Sequence, residues 1–277
     1  MDTFEKVRGF LYNKPINESN IIVFKNVYAL GDLLLIPKIC GNYTEYHEHP
    51  YYRANINAYK NSILAIYEEL RTDKTEYIPN LNKIQQGVEI YIQRNNLNKK
   101  MNDLLEFVKR DDVLCVHLRS GDFGYIEEEY KEIIKNLQNE YQYVIIMCGA
   151  HHHHQHDIII QSVNSLFTPL NNSIRTADEL STKLPDSNLH RYNGNNNIYI
   201  SIEDPDLHMA MFHSCKNLLL HKNGFTILAG LVFTGNKLYI SQKIFNKNYD
   251  FSKEDGNNMW NEYIKPENHI FREIIYM

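Results

Sequence analysis

Three side chains that could take part in chemistry lie close together near the middle of the chain: His117, Arg119 and Asp122. The planar guanidinium of an arginine can hold two phosphate oxygens at once and stays charged at any physiological pH. These residues follow the apolar run 113–116, which predicts a buried strand, and an amphipathic helical run begins just beyond, at Tyr125. Because ligands of open α/β sheets bind outside the carboxyl ends of the strands, we expect chemistry in this loop.

A second strand, loop and helix pattern occurs in the C-terminal half of the chain. The run 217–220 predicts a strand, and the polar loop 222–226 leads into an apolar helix. The free amides and the positive dipole end of a helix N-terminus form an anion site that suits a pyrophosphate. The residues predicted to form this site are Asn223, Gly224, Phe225 and Thr226.

Both patterns resemble motifs of the α1,2/α1,6/O-fucosyltransferase superfamily. The spelling H-x-R-x-G-D at 117–122 is similar to the family signature His-x-Arg-Arg-Gly-Asp, with Ser120 in place of the second arginine. The second stretch is similar to the family pattern in which Cys-Lys and an apolar strand precede a Ser-Ser-Phe-Ser-Trp phosphate loop. Cys215 and Lys216 match that pattern, and so does the phenylalanine of the loop.

The resemblance implies an α/β protein of the GT-B type, with two Rossmann-like domains and a cleft between them. The first domain, 1–110, would take the acceptor, and the second, 111–277, would bind the nucleotide sugar. The family also places an acid in the helix before the phosphate loop, where it binds guanine, and His208 has that register, with Asp206 two residues earlier. The implied donor-binding residues are His117, Arg119, Gly121, Asp122, Asp206, His208, Asn223, Gly224, Phe225 and Thr226.

The implied reaction is inverting transfer of fucose from GDP-fucose to a glycan hydroxyl. Its main catalytic need is to stabilise negative charge on the departing phosphate, which Arg119 and the helix amides would do without a metal or other cofactor. The acceptor hydroxyl also needs a base. Glu127 lies eight residues past Arg119, the spacing at which the α1,6 branch carries its catalytic acid. Asp32, in a strand–glycine–helix turn of the first domain, is the competing candidate, or else the cap of that helix.

Two segments resemble metal sites. Asp204-Pro205-Asp206 spells the D-x-D of metal-dependent transferases, but proline followed by aspartate before an apolar run favours a helix start with Asp206 as N-cap. The histidine-rich run 151–156 favours a solvated loop, because the ligands of closed metal sites usually come from separate elements. We therefore predict no metal site.

Composition excludes several classes of protein. A formal net charge of −5 argues against a nucleic-acid partner bound through its phosphates. There is no run of about 18 apolar residues and no secretion signal at the start, so we expect neither a membrane span nor export. Four widely spaced cysteines are typical of reduced, buried thiols, which suits a cytoplasmic protein. A transferase using another nucleotide sugar and a degenerate member that only binds glycans or nucleotides remain alternatives, and the oligomeric state is left open.

Hydrophobic periodicity predicts the remaining elements. Apolar residues at helical spacing predict two helical regions before residue 110, the second with a polar break at 95–100, and both are expected to pack on an N-terminal core. The tail from 257 to 277 is expected to form a helix. The two helical regions span 52–71 and 81–109. The other predicted elements are a helix at 126–140 and strands at 143–149, 198–201 and 237–240.

Overall fold

The structure is a computed structural model, which describes residues 61–70, 81–118, 128–148, 189–191, 198–201, 203–221, 224–240 and 273–277. These parts of the chain form six helices and seven strands. In chain order they are α1 (Ile63–Leu70), α2 (Leu81–Arg94), α3 (Lys99–Val108), β1 (Val113–Leu118), α4 (Glu128–Leu137), β2 (Tyr143–Cys148), β3 (Leu189–Arg191), β4 (Ile198–Ser201), α5 (Pro205–Ser214), β5 (Asn217–Leu220), α6 (Gly224–Val232), β6 (Lys237–Ile240) and β7 (Glu273–Tyr276).

All seven strands belong to one sheet, in the order β3-β4-β2-β1-β5-β6-β7. Only the edge pair of β3 and β4 is antiparallel, and the other five pairs are parallel. On one side of β1 the parallel strands are β2 and then β4. On its other side they are β5, β6 and then β7. This is the strand order of the doubly wound dinucleotide-binding fold, so the α/β sheet is compatible with a Rossmann-like fold. The order reverses between β1 and β5.

The sheet is covered on both faces, which is why its central strands are mostly apolar. Every residue of β1 and of β2 is buried. Val113 and Cys115 face a core shared with α1, α2, α3, α5 and α6, whereas Leu114 and Val116 face a second core shared with α4. Full burial of one such aliphatic side chain stabilises the fold by about 1.5–3 kcal/mol.

The described helices before residue 110 share one core with α5, α6 and the sheet, whereas the sequence predicted that they pack on an N-terminal core. Buried apolar residues of α1, α2 and α3 belong to the same cluster as those of α5, α6 and β1. At one end of α1 the Ile63 amide donates to Asp206 Oδ1 at 2.9 Å, and Lys100 of α3 pairs with Glu203 at 2.8 Å. An apolar stripe identifies the buried face of a helix but not its partner. The domain division at residue 110 stays a prediction, because residues 1–60 lie outside the described residues.

Most of the element predictions are confirmed. The break between α2 and α3 lies at 95–98, where the Asn98 side chain accepts from the Met101 amide and caps α3. The tail prediction was wrong for 273–276, which form β7 along β6; residues 257–272 lie outside the described part. Cys115, Cys148 and Cys215 are buried free thiols, as predicted.

In the part of the chain that the structure covers, a helix with the length and apolarity to cross a membrane is not found.

Candidate functional site

The described residues of the two polar segments, His117 in one and 224–226 in the other, lie at the point where the strand order reverses. β1 and β5 are neighbours, with Cys115 opposite Leu218 and Val116 opposite Leu219. β1 ends at Leu118, and α6 begins at Gly224, shortly after β5. The carboxyl ends of both strands and the amino end of α6 therefore lie at one edge of the sheet, which is where doubly wound folds bind their ligands.

A buried hydrogen bond joins the two segments directly. His117 Nδ1 lies 2.8 Å from Thr226 Oγ1, although the two residues are 109 positions apart in the sequence. His117 is the first residue of one motif and Thr226 closes the other. Thr226 is completely buried, so the pair is not an exposed nucleophile with its base. It is a link between the carboxyl end of β1 and the first turn of α6.

Aromatic rings hold the imidazole of His117 on the α5 and α6 face of the sheet. The ring centroid of His117 is 5.7 Å from that of Phe212, in edge-to-face geometry, and 5.6 Å from that of the partly buried Phe225. Phe212 and Phe225 are also edge to face, at 5.9 Å. Such pairs contribute about 0.5–1.5 kcal/mol each beyond area burial, so the orientation of the imidazole is well determined.

The opposite face of the same strand ends is held by Tyr130 of α4. Its hydroxyl donates to the backbone carbonyl oxygen of His117 at 2.8 Å, and its ring lies 4.3 Å from the ring of His221, which directly follows β5. Neither residue was predicted from the sequence to belong to the site. Tyr130 occupies the apolar stripe of α4 with Ile134 and Leu137, so the available signal indicated only a core residue.

His208, which has the register of the guanine-binding acid, is buried at the start of α5. Its Nε2 accepts from the Glu203 amide at 3.3 Å and lies 3.0 Å from Ser201 Oγ, at the end of β4. Since Nε2 accepts from a backbone amide, the ring carries its proton on Nδ1. Burial lowers the pKa of His208 from 6.5 to about 3, so the ring is neutral at pH 7. The ring centroid also lies 6.2 Å from that of Phe212. Guanine binding by His208 stays a prediction.

Both aspartates of the D-x-D segment bond to backbone amides. Asp204, and not Asp206 as predicted, is the N-cap of α5, and its Oδ1 accepts from the Leu207 amide at 2.9 Å. Pro205 starts the helix because proline suits the first helical position, where its missing amide hydrogen is not needed. Asp206 is buried and instead accepts from the Ile63 amide. Burial raises the pKa of Asp204, and the Leu207 amide partly offsets that rise. These contacts favour the helix start over a metal site.

Several candidate residues lie outside the described residues, so their roles stay predictions. Gly224, Phe225 and Thr226 form the first turn of α6 and lie at the expected edge. A group of three or more histidine, cysteine, aspartate or glutamate side chains placed to hold a metal ion is not found among the described residues. The candidates that lie outside the described residues are Asp32, Arg119, Gly121, Asp122, Glu127, Asn223 and the histidine-rich run 151–156.

The neutral state of His208 predicts a specific pH dependence of stability. Its folded pKa of about 3 is below the unfolded value of 6.5, so its contribution is complete above pH 6.5 and is lost as the pH falls towards 3. In that window the unfolded state binds one more proton. The parent should therefore lose up to about 1.4 kcal/mol of unfolding free energy per pH unit relative to His208→Gln. Urea unfolding of both proteins between pH 7.5 and 4.5 measures this difference, and parallel pH profiles would contradict it.

Three features of the chain identify this edge of the sheet as a candidate site. They are the reversal of strand order between β1 and β5, the position of the amino end of α6 at the same edge, and the buried contact between His117 and Thr226. Comparison of the chain with protein-family models, with curated proteins and with solved structures finds no match.

Proposed function

We propose that the protein is an inverting glycosyltransferase of the fucosyltransferase type, which moves fucose from GDP-fucose to a glycan hydroxyl. The observation that carries the proposal is the 2.8 Å contact between His117 and Thr226. Two short motifs that resemble one family by chance have no reason to meet. Here one residue of each motif is in contact at the sheet edge where nucleotides bind in doubly wound folds, which supports a shared role in binding the donor.

In the proposed reaction the bond between fucose and the β-phosphate breaks as an oxocarbenium-like centre forms. The guanidinium of Arg119 and the amides at the start of α6 stabilise the negative charge that grows on the departing phosphate. Glu127, or Asp32 from the N-terminal segment, takes the proton of the acceptor hydroxyl. In the same proposal residues 1–110 take the acceptor and 111–277 bind the donor in a cytoplasmic GT-B enzyme, with α1 to α3 of the first segment packed in the core of the donor-binding sheet.

A donor with another base is the second candidate, and the surroundings of His208 favour it. In the resembling family an acid at this register binds guanine, whereas this imidazole is neutral and its Nε2 is engaged by Ser201 and Glu203. A site without that acid discriminates less strongly in favour of guanine, because a buried polar partner is what rejects the wrong base.

A thermal-shift screen with GDP, UDP, ADP and CMP tests the proposal. A ligand at 100-fold its dissociation constant should stabilise the folded protein by about 2.7 kcal/mol. Stabilisation by GDP alone supports the fucosyltransferase, and stabilisation by another nucleotide supports the second candidate. If none of the four stabilises the protein, the donor site is refuted. Hydrolysis of GDP-fucose then separates an enzyme from a protein that only binds nucleotides.

Glu127→Gln should lower the transfer rate by about 10²- to 10⁴-fold and leave GDP affinity unchanged, because the amide cannot accept the proton of the acceptor. Glu128→Gln is the matched control. Glu128 is the first residue of α4, its side chain is exposed, and it pairs with Lys131. Initial rates and calorimetric titration with GDP measure both effects. A rate defect in Asp32→Asn but not in Glu127→Gln would assign the base to the N-terminal segment instead.

Transfer should persist in EDTA, because the proposed reaction stabilises the leaving phosphate with Arg119 and backbone amides. Asp204→Ala should lower the free energy of unfolding by about 0.5–2 kcal/mol, the usual effect of losing an N-cap, and should leave the rate near that of the parent. Chemical denaturation and initial-rate assays measure the two quantities. Complete loss of activity in EDTA, restored by Mn²⁺ or Mg²⁺, would contradict metal independence.

A further inference from the structure

One buried side chain contacts the carboxyl ends of both β1 and β5. Tyr130 is fully buried and is the third residue of α4. Its hydroxyl donates to the carbonyl oxygen of His117, in β1, and its ring lies against the ring of His221, which follows β5. His117 and His221 belong to the two strand ends on either side of the switch point. Tyr130 therefore connects α4 to both of them.

The described pairing of β1 with β5 is shorter than its pairing with β2. β1 and β2 pair along all six residues of both strands, whereas β1 pairs with β5 only at Cys115 and Val116. The last of these pairs, Val116 with Leu219, lies two residues before the end of β1, and ligands of doubly wound folds bind outside this edge. Side-chain contacts therefore contribute to the spacing of the two strand ends. Among the described residues of α4, Tyr130 contacts both ends.

We propose that Tyr130 is a positioning residue, which sets the spacing of the two strand ends and with it the distance between the donor-binding groups that each end carries. This inference rests on the function proposed above. Tyr130 acts through the His117 carbonyl and the His221 ring and does not need to touch the ligand. Its two contacts are separable, because Tyr130→Phe removes the hydrogen bond and keeps the ring contact.

Tyr141→Phe is the matched control. The hydroxyl of Tyr141 lies 2.8 Å from that of Tyr239, and this pair is also buried. Tyr141 precedes β2, so it lies at the amino end of the sheet, away from the candidate site. Both variants lose one buried hydroxyl and one hydrogen bond of the same length. A purely structural role of Tyr130 therefore predicts similar effects in the two variants.

The experiment measures kcat and KM, GDP affinity, the unfolding midpoint and hydrogen exchange of the full chain. Tyr130→Phe should lower kcat/KM by about 10- to 10²-fold, because small misplacements of reacting groups are costly. It should also speed exchange in the peptides that contain His117 and His221. Tyr141→Phe should have a similar unfolding midpoint to Tyr130→Phe, and it should change neither kcat/KM nor the hydrogen exchange of these peptides. If Tyr130→Phe does not fold, His221→Leu removes the ring contact instead and should give the same result.

Equal kinetics and equal exchange in the two tyrosine variants would overturn the positioning role. If the proposed function is wrong, the parent protein binds none of the nucleotides. The comparison of hydrogen exchange in the two variants then tests the role of Tyr130 by itself. Faster exchange at both strand ends in Tyr130→Phe, but not in Tyr141→Phe, would support the role of Tyr130 in setting the spacing of the strand ends. Equal exchange in the two variants would refute it.

Discussion

Replacing Arg119 by lysine is expected to lower kcat by about 10²- to 10³-fold and to leave the unfolding midpoint near that of the parent. Lysine keeps the charge but loses the planar fork that holds two oxygens. If the guanidinium mainly meets charge that grows on the leaving phosphate, the defect appears in kcat more than in donor affinity. Arg119 directly follows Leu118, the last residue of β1. In the proposed donor loop its substitution leaves no cavity in the core, so we expect a small effect on stability.

Arg110→Lys is the control for this change, because Arg110 lies near the other end of β1. Its guanidinium bonds to both carboxylate oxygens of Asp112 and lies 5.2 Å from the ring centroids of Phe107 and Tyr143. We expect this variant to lose some stability and to keep its rate. Calorimetric titration with GDP and initial rates compare the two. A well-folded Arg119→Ala protein with normal turnover would refute the donor loop and most of the proposed function.

Phe212→Ala is expected to lower the free energy of unfolding by about 3–5 kcal/mol, the usual range for removing a buried phenylalanine ring. Phe212 is completely buried, and its ring contacts those of His117 and Phe225. The cavity would therefore open directly beneath the imidazole that links β1 to α6. We expect the folded fraction of this variant to bind nucleotide more weakly than the parent does.

Phe107→Ala separates the loss of stability from the loss of binding. The ring of Phe107 is edge to face with Tyr143 at 5.2 Å and lies near the amino end of β1. Its removal should cost a comparable amount of stability without changing nucleotide affinity. Phe212→Leu, a milder change of volume, keeps the protein folded for titration. Chemical denaturation and titration of these variants measure both quantities, and equal affinities in Phe212→Leu and Phe107→Ala would contradict a role for Phe212 in the site.

The amino-acid sequence alone was enough to identify the elements with strong local signals. The apolar runs that became β1, β2, β5 and β6 were predicted as strands, because a strand buried on both faces has no polar alternation. The break before α3 was predicted from its polar residues, and Asn98 indeed caps that helix. The expected edge of the site also followed from the sequence, because residues that follow parallel strands lie at the carboxyl edge of the sheet.

The partners of these elements depended on contacts between residues far apart in the chain. The amphipathic pattern of α1 to α3 did not determine whether these helices pack in the core of the sheet or in another core. The tail could not be identified as a strand because its pairing partner, β6, is distant in the sequence. Asp206 was predicted as a cap from its local context, but the tertiary fold gives it the amide of Ile63, and Asp204 caps α5. No local signal predicted a role at the site for Tyr130 or His221, since the apolar stripe of α4 indicated only that Tyr130 is a core residue. Periodicity and capping preferences act over a few residues, whereas these contacts join positions that only the folded chain brings together.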